Sequence, residues 1–270
     1  MIDIANSDFI NEIKDTASNM YRLGWNERNG GNISVLLKDE EIAPYLSQLE
    51  EKRKLKLPLV FKELAGRYFV ITGTGRYFKN ISKDPETNLG IIRISNDGTY
   101  ASLLWGYKAG GTFTSEVAMH LNAHIQRIKA GDDQRAVIHA HPANTVSMSH
   151  MHSWDEKEFT HTLWSMITEC IVIFPEGVAV LPWMISSSND IGIESSKKFK
   201  DFKILIWAMH GITAVGSSLD EVFGLIETVE KAAEIYVKIY GKTNREGIDK
   251  AMLRDVVNAF NLKVKEGWLD

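Results

Sequence analysis

The chain has little of what covalent staples, membranes or polyanions require. It has one cysteine, Cys170, in 270 residues, so no internal disulfide can form and no oxidising compartment is implied. No apolar run approaches the ~18 residues that span a bilayer. The opening MIDIANSDFINEIKD has no basic stretch followed by an apolar one, so no secretory leader is expected and a cytoplasmic location is. Neither charge sign dominates: the net charge is −4 and no long Lys/Arg run occurs, so neither nucleic acid nor a membrane surface is expected as a partner. Walker-type, dinucleotide-binding and His-Glu-x-x-His motifs are also missing.

What is present suits a soluble globular protein: 44% apolar and 24% charged residues, with enough length to bury a core without staples. Helical spacing predicts helices over 6–24, 115–130 (capped by Thr114), 143–152, 189–200 and 248–260, and a long one opened by Ser218 and Glu221 and closed by Gly241. Alternation and short apolar runs predict strands at 33–37, 68–71, 136–141, 170–174, 178–181 and 204–207, and a hairpin at 90–95 and 100–106 about Asn96-Asp97-Gly98. Residues 38–66 read as a charged surface excursion within a single domain, 1–270. The fold class expected is α/β, a central mixed, largely antiparallel sheet flanked by helices.

Eight histidines carry the chemistry. His139-Ala140-His141 follows an apolar run; in a strand, residues two apart share a face, so both imidazoles can meet one metal ion. His210, just past the apolar strand at 204–207 and before Gly211, is the candidate third ligand. His150 and His152 fall in a helical context where their rings diverge, and read as surface or packing. His120 and His124, four apart on a helix, are able to chelate but read as a partly buried helix face; His161 is unassigned.

Three segments are suited to holding an anion. Asn29-Gly30-Gly31-Asn32 can present backbone N–H groups, Thr72-Gly73-Thr74-Gly75 adds hydroxyls after a strand, and Thr114-Ser115-Glu116 opens a helix whose free N–H groups and dipole favour phosphate. Taken singly, each has a plain reading as a turn or cap.

In order along the chain come Asn-Gly-Gly-Asn-Ile-Ser, Thr-Gly-Thr-Gly, Thr-Ser-Glu, His-Ala-His-Pro and Met-His-Gly, and together they resemble the class II aldolase/adducin family over nearly the whole chain. Gly24–Asn32, Asp84-Pro85, Thr168-Glu169-Cys170, Leu181–Met184 and Glu221–Ile226 resemble a longer member that cleaves a ketose 1-phosphate. The resemblance implies one Zn2+ per subunit on His139, His141 and His210, with Glu116 as the proton-transfer residue beside it. It also implies phosphate binding by Asn29, Gly31, Asn32, Thr74, Thr114 and Ser115, a small-molecule sugar phosphate as substrate, and a homotetramer with sites at subunit interfaces. Glu169 is then a second acid/base group reaching a neighbour's site. Cleavage of fuculose phosphate and epimerisation of a pentulose 5-phosphate are the alternatives on the same fold. A non-catalytic adducin-like protein lacks the metal histidines.

Overall fold

In a computed structural model, residues 3–131, 133–242 and 247–270 are described. In chain order the elements are α1 (Asp8–Arg22), β1 (Asn32–Leu36), α2 (Asp39–Ile42), β2 (Arg53–Lys56), β3 (Tyr68–Thr72), α3 (Pro85–Asn88), β4 (Leu89–Ile94), β5 (Tyr100–Gly106), α4 (Val117–Lys129), β6 (Ala136–Ala140), α5 (Ala143–Met151), α6 (Glu156–Met166), α7 (Glu169–Ile173), β7 (Ala179–Leu181), α8 (Asn189–Lys198), β8 (Ile204–Trp207), β9 (Gly211–Gly216), α9 (Leu219–Ile239) and α10 (Lys250–Phe260).

The strands form one mixed sheet in the order β2-β5-β4-β3-β1-β6-β9-β8-β7. Every neighbouring pair is antiparallel except β7 with β8. Side chains alternate between the faces. Phe69 and Ile71 of β3 pack with Val117, Leu121 and Ile125 of α4, whereas Val70 joins the opposite core with residues of α1 and α9. β6, β8 and β9 are buried at every position, which explains why β6 and β8 read as short apolar runs rather than alternating strands.

The sheet and its helices match the fold class that the sequence predicts, with local exceptions. Residues 170–173 lie in helix α7, with Phe174 as its C-cap, and form no strand. A short apolar run has no distinguishing period; here Cys170, Ile171 and Phe174 are buried at helical spacing while Ile173 faces out. Helix α6 and strand β9 were not predicted. The cap of α6 is Asp155, whose carboxylate accepts from Glu158 N at 2.9 Å. The segment at 38–66 contributes the edge strand β2 as well as α2, whose Glu41 pairs with both guanidinium nitrogens of Arg135 at 2.6 and 2.8 Å. Helix α4 starts later than Thr114 suggests. Thr114 N bonds to Thr72 O at 2.9 Å, next to the Gly73–Phe113 bridge, and Glu116 is the N-cap.

Glu230 on α9 ties the core helix to the loop side of the sheet. Its carboxylate accepts from Asn144 N, Asn144 Nδ2, Thr145 N and Thr145 Oγ1 at 2.7–3.1 Å, capping α5 from a neighbouring helix. Charge-assisted bonds of this kind contribute more than neutral ones, so Glu230→Ala is expected to lower unfolding free energy by about 2 kcal/mol. A urea denaturation series against the parent protein measures this.

Candidate metal centre and its surroundings

Strand β6 lies between β1 and β9, with His139 opposite Asn32 on one side and Thr213 on the other. His141 stands one residue past the end of β6, on the same face as His139. His210 closes the turn between β8 and β9. That turn needs Met209 at a positive φ of 59°, an uncommon conformation for a side chain of this size, and Ser149 Oγ on α5 accepts from Met209 N at 2.8 Å to hold it. Gly211 follows because a Cβ there would overlap the Ala140 carbonyl oxygen and crowd the His141 ring.

The three imidazoles converge: one ring nitrogen from each lies within 4.8 Å of the others. His139 Nε2 and His141 Nε2 are 3.1 Å apart, and the His210 ring centroid is 5.0 Å from each of theirs. The far side of each β6 ring is anchored. His139 Nδ1–H faces Ile212 O and Thr213 Oγ1, both at 3.0 Å, and His141 Nδ1–H faces the Glu27 carboxylate at 2.8 and 3.0 Å. A neutral imidazole has one N–H, so both Nε2 lone pairs point at each other and at His210. Two acceptors at that separation, each with its tautomer set by an outer partner, fit a shared divalent cation. Burial pushes the His139 pKa well below its ordinary value, and burial followed by the nearby His141 takes His210 down to about 4, so both stay in the neutral, ligating form at neutral pH.

Glu116 comes from the opposite layer. Its Oε2 is 3.6 Å from His139 Nε2 and accepts from Asn32 Nδ2 at 2.8 Å. Burial raises its carboxyl pKa, and the Asn32 bond offsets part of that rise. A carboxyl so placed can exchange a proton beside the cation position.

The predicted anion segments separate into two groups. Thr74, Thr114 and Ser115 share a surface cavity of about 420 Å³, also lined by Lys56. Thr74 N bonds to Thr112 O at 2.9 Å, which draws the two loops together, and the Ser115 and Ser187 hydroxyls hydrogen-bond at 2.8 Å. Asn29 and Gly31 lie in the turn over the histidines instead, and Asn29 is exposed. Gly31 has φ +73°, and a Cβ on it would overlap Asn26 Nδ2 and approach the His139 carbonyl at 2.7 Å. The Asn32 side chain is directed at Glu116 and His120. Glu169 opens α7 on the exposed surface, and among the described residues no hydrogen bond or ion pair links it to the histidines.

Glu27, Ser149 and Thr213, which orient the histidines, are not among the candidate site residues that the sequence indicates. Glu27 lies within the Gly24–Asn32 segment that carried part of the resemblance; Ser149 and Thr213 have no local signal. His120 and His124, read as a partly buried helix face, are fully enclosed and hydrogen-bonded to the polar side of β1.

Residues 11–237 match the family described as Class II Aldolase and Adducin N-terminal domain. The chain belongs to that family. It is 44% identical over 269 residues to the rhamnulose-1-phosphate aldolase of Listeria innocua, covering 99% of this chain and 98% of that protein. It is 43% identical over 270 residues to the rhamnulose-1-phosphate aldolase of Enterococcus faecalis, covering 100% and 97%. A sugar-phosphate aldolase from Thermotoga maritima superposes with a TM-score of 0.76 at 25% identity, over 88% of this chain and 97% of that one.

The histidine environment sets a pH dependence. In the unfolded chain His210 takes up a proton near pH 6.5, whereas in the folded chain it does so only near pH 4. Between those values the unfolded state binds more protons, so this group's contribution to stability falls as pH drops from 6.5 to 4. Urea midpoints of the chelator-treated protein are expected to decline across that window, and His210→Asn to make the decline shallower.

Proposed function

We propose that the protein is a metal-dependent lyase that reversibly cleaves L-rhamnulose 1-phosphate to dihydroxyacetone phosphate and L-lactaldehyde, a step of L-rhamnose breakdown. The observation that carries the reading is the convergence of His139, His141 and His210 with Glu116 at 3.6 Å from His139. Near-full-length identity to proteins named for that substrate supports the choice of sugar over fuculose phosphate or a pentulose 5-phosphate.

His139, His141 and His210 would hold Zn2+, one per subunit. When bound, the ion supplies Lewis-acid stabilisation of the negative charge that develops as the carbon–carbon bond breaks. In cleavage, the C3–C4 bond breaks, its electron pair passes into the C2 carbonyl, and the C4 hydroxyl gives up its proton. Glu116 delivers a proton to C3, and in synthesis it removes that proton. Glu169 of a neighbouring subunit handles the proton at the aldehyde half, and by the family resemblance the site lies at a subunit interface of a homotetramer. Thr74, Thr114 and Ser115 bind the phosphate in their cavity through hydroxyl and backbone donors, and by the family resemblance Asn29 and Gly31 in the turn beside His141 and Asn32 at the start of β1 complete the phosphate-binding set. Anchoring the phosphate orients C3 against Glu116. The protein acts in the cytoplasm.

A coupled assay for dihydroxyacetone phosphate tests the reaction. Cleavage of L-rhamnulose 1-phosphate is expected, with much slower turnover of L-fuculose 1-phosphate. Chelation abolishes the activity and added Zn2+ restores it; full turnover by metal-free protein refutes the reading. Glu116→Ala is expected to retain metal, measured by elemental analysis, while kcat drops about 10²- to 10⁴-fold. Ser115→Ala is expected to raise KM for the phosphorylated ketose more than for free rhamnulose, which paired steady-state measurements compare.

A further inference from the structure

We propose that His124, Ser34 and His120 form a one-way chain of hydrogen bonds that orients the Asn32 amide so that its nitrogen, and not its oxygen, faces Glu116. The chain is buried throughout: Ser34 and His120 are fully enclosed, His124 nearly so, and Asn32 is 5% exposed. Ser34 Oγ lies 2.7 Å from His120 Nδ1 and 2.9 Å from His124 Nε2. His120 Nε2 bonds to Asn32 Oδ1, and Asn32 Nδ2 reaches Glu116 Oε2 at 2.8 Å.

The geometry follows from two matching periods. Glu116, His120 and His124 recur every four residues at the start of α4, so they share a helix face with a rise of about 6 Å between them. Asn32 and Ser34 are two apart on β1, share a sheet face and are about 6.6 Å apart along the strand. The two ladders therefore interleave: Asn32 sits between Glu116 and His120, and Ser34 between His120 and His124.

Donor counting fixes the direction. Asn32 Nδ2 donates to Glu116 Oε2, so Asn32 Oδ1, which can only accept, takes its hydrogen bond from His120 Nε2–H. A neutral His120 has no second proton, so its Nδ1 accepts the Ser34 hydroxyl. That hydroxyl is then spent, and Ser34 Oγ accepts from His124 Nε2–H. His124 Nδ1 is left as an acceptor with no partner among the described residues, against the Phe69 ring at 5.0 Å between centroids. Burial keeps both rings neutral, with His124 down at about 3 and His120 also well below its ordinary value. If His120 could not donate, the amide would be free to turn its oxygen toward the Glu116 carboxylate. His120 and His124 are thus positioning residues, acting through Asn32 on the group that moves the proton.

This inference rests on the assignment of Glu116 as proton carrier, so its test includes a measurement without substrate. Long-range ¹H–¹⁵N spectra of ¹⁵N-histidine-labelled, zinc-loaded protein, assigned with His124→Asn, should show His120 and His124 neutral and protonated at Nε2 from pH 5 to 8. A Nδ1–H tautomer or an imidazolium at either position overturns the chain. In kinetics, His120→Leu removes the donor, whereas His120→Gln places an N–H near the position of Nε2. With metal content and KM unchanged, His120→Leu should lower kcat about tenfold or more and His120→Gln should recover most of it. Combining His120→Leu with Asn32→Ala should cost little beyond Asn32→Ala alone. Equal losses in the Leu and Gln variants, or additive losses in the double variant, overturn the proposal. If the parent protein does not cleave L-rhamnulose 1-phosphate, the aldolase reading fails and the tautomers alone decide the chain.

Discussion

The central strand β6 is held on both edges, by β1 and by β9, and the geometry of the candidate site depends on that double pairing. One register sets Asn32 beside His139, and the other sets Thr213 there. Because side chains change face at every residue, a slip of one position in either pairing would move His139 off the site and turn Asn32 away from Glu116. Complete burial of β6 protects the register, since a slipped β6 would exchange apolar partners above and below it.

Around that strand, the contributions come from distant parts of the chain. The turn at 26–31 lies over the histidines and brings Glu27 to His141 Nδ1. The turn between β8 and β9 brings His210, held through Met209 by Ser149 of α5, and α5 is in turn capped by Glu230 of α9. The helix on the other face, α4, brings Glu116 and the two buried histidines below it. Each potential ligand thus has an outer partner that fixes its tautomer or backbone, which is what a cation with a strict coordination preference requires. Packing of α9 against the sheet and α5 therefore reaches the chemistry through two hydrogen-bonded steps.

The neutral state of the buried histidines connects the fold to the site. Desolvation disfavours the charged imidazole, so His139, His120 and His124 remain single donors and single acceptors at neutral pH. For His139 that leaves a lone pair for a metal. For His120 and His124 it leaves a hydrogen-bond direction, transmitted through Ser34 and Asn32 to a carboxylate.

Much was legible in the sequence, because some features are local. His-x-His on a strand puts both rings on one face whatever the rest of the chain does. The helical periods of α1, α4 and α9, the hairpin turn at Asn96-Asp97-Gly98 and the serine cap at Ser218 are likewise short-range. The ordered set of motifs was enough to resemble the family. Other features were settled only by tertiary structure. Cys170–Ile173 became helical because burial selected its spacing, and a short apolar run carries no period of its own. Helix α4 began at Val117 because Thr114 N was already bonded to Thr72 O at the end of β3, beside the Gly73–Phe113 bridge. His120 and His124 look like any polar pair on a helix until β1 places Asn32 and Ser34 against them, a pairing across more than eighty residues that no local pattern encodes. Residue types and short-range periods determine which groups can ligate or donate; only the packed sheet decides which of them meet, because hydrogen-bond direction and metal geometry are properties of positions in space.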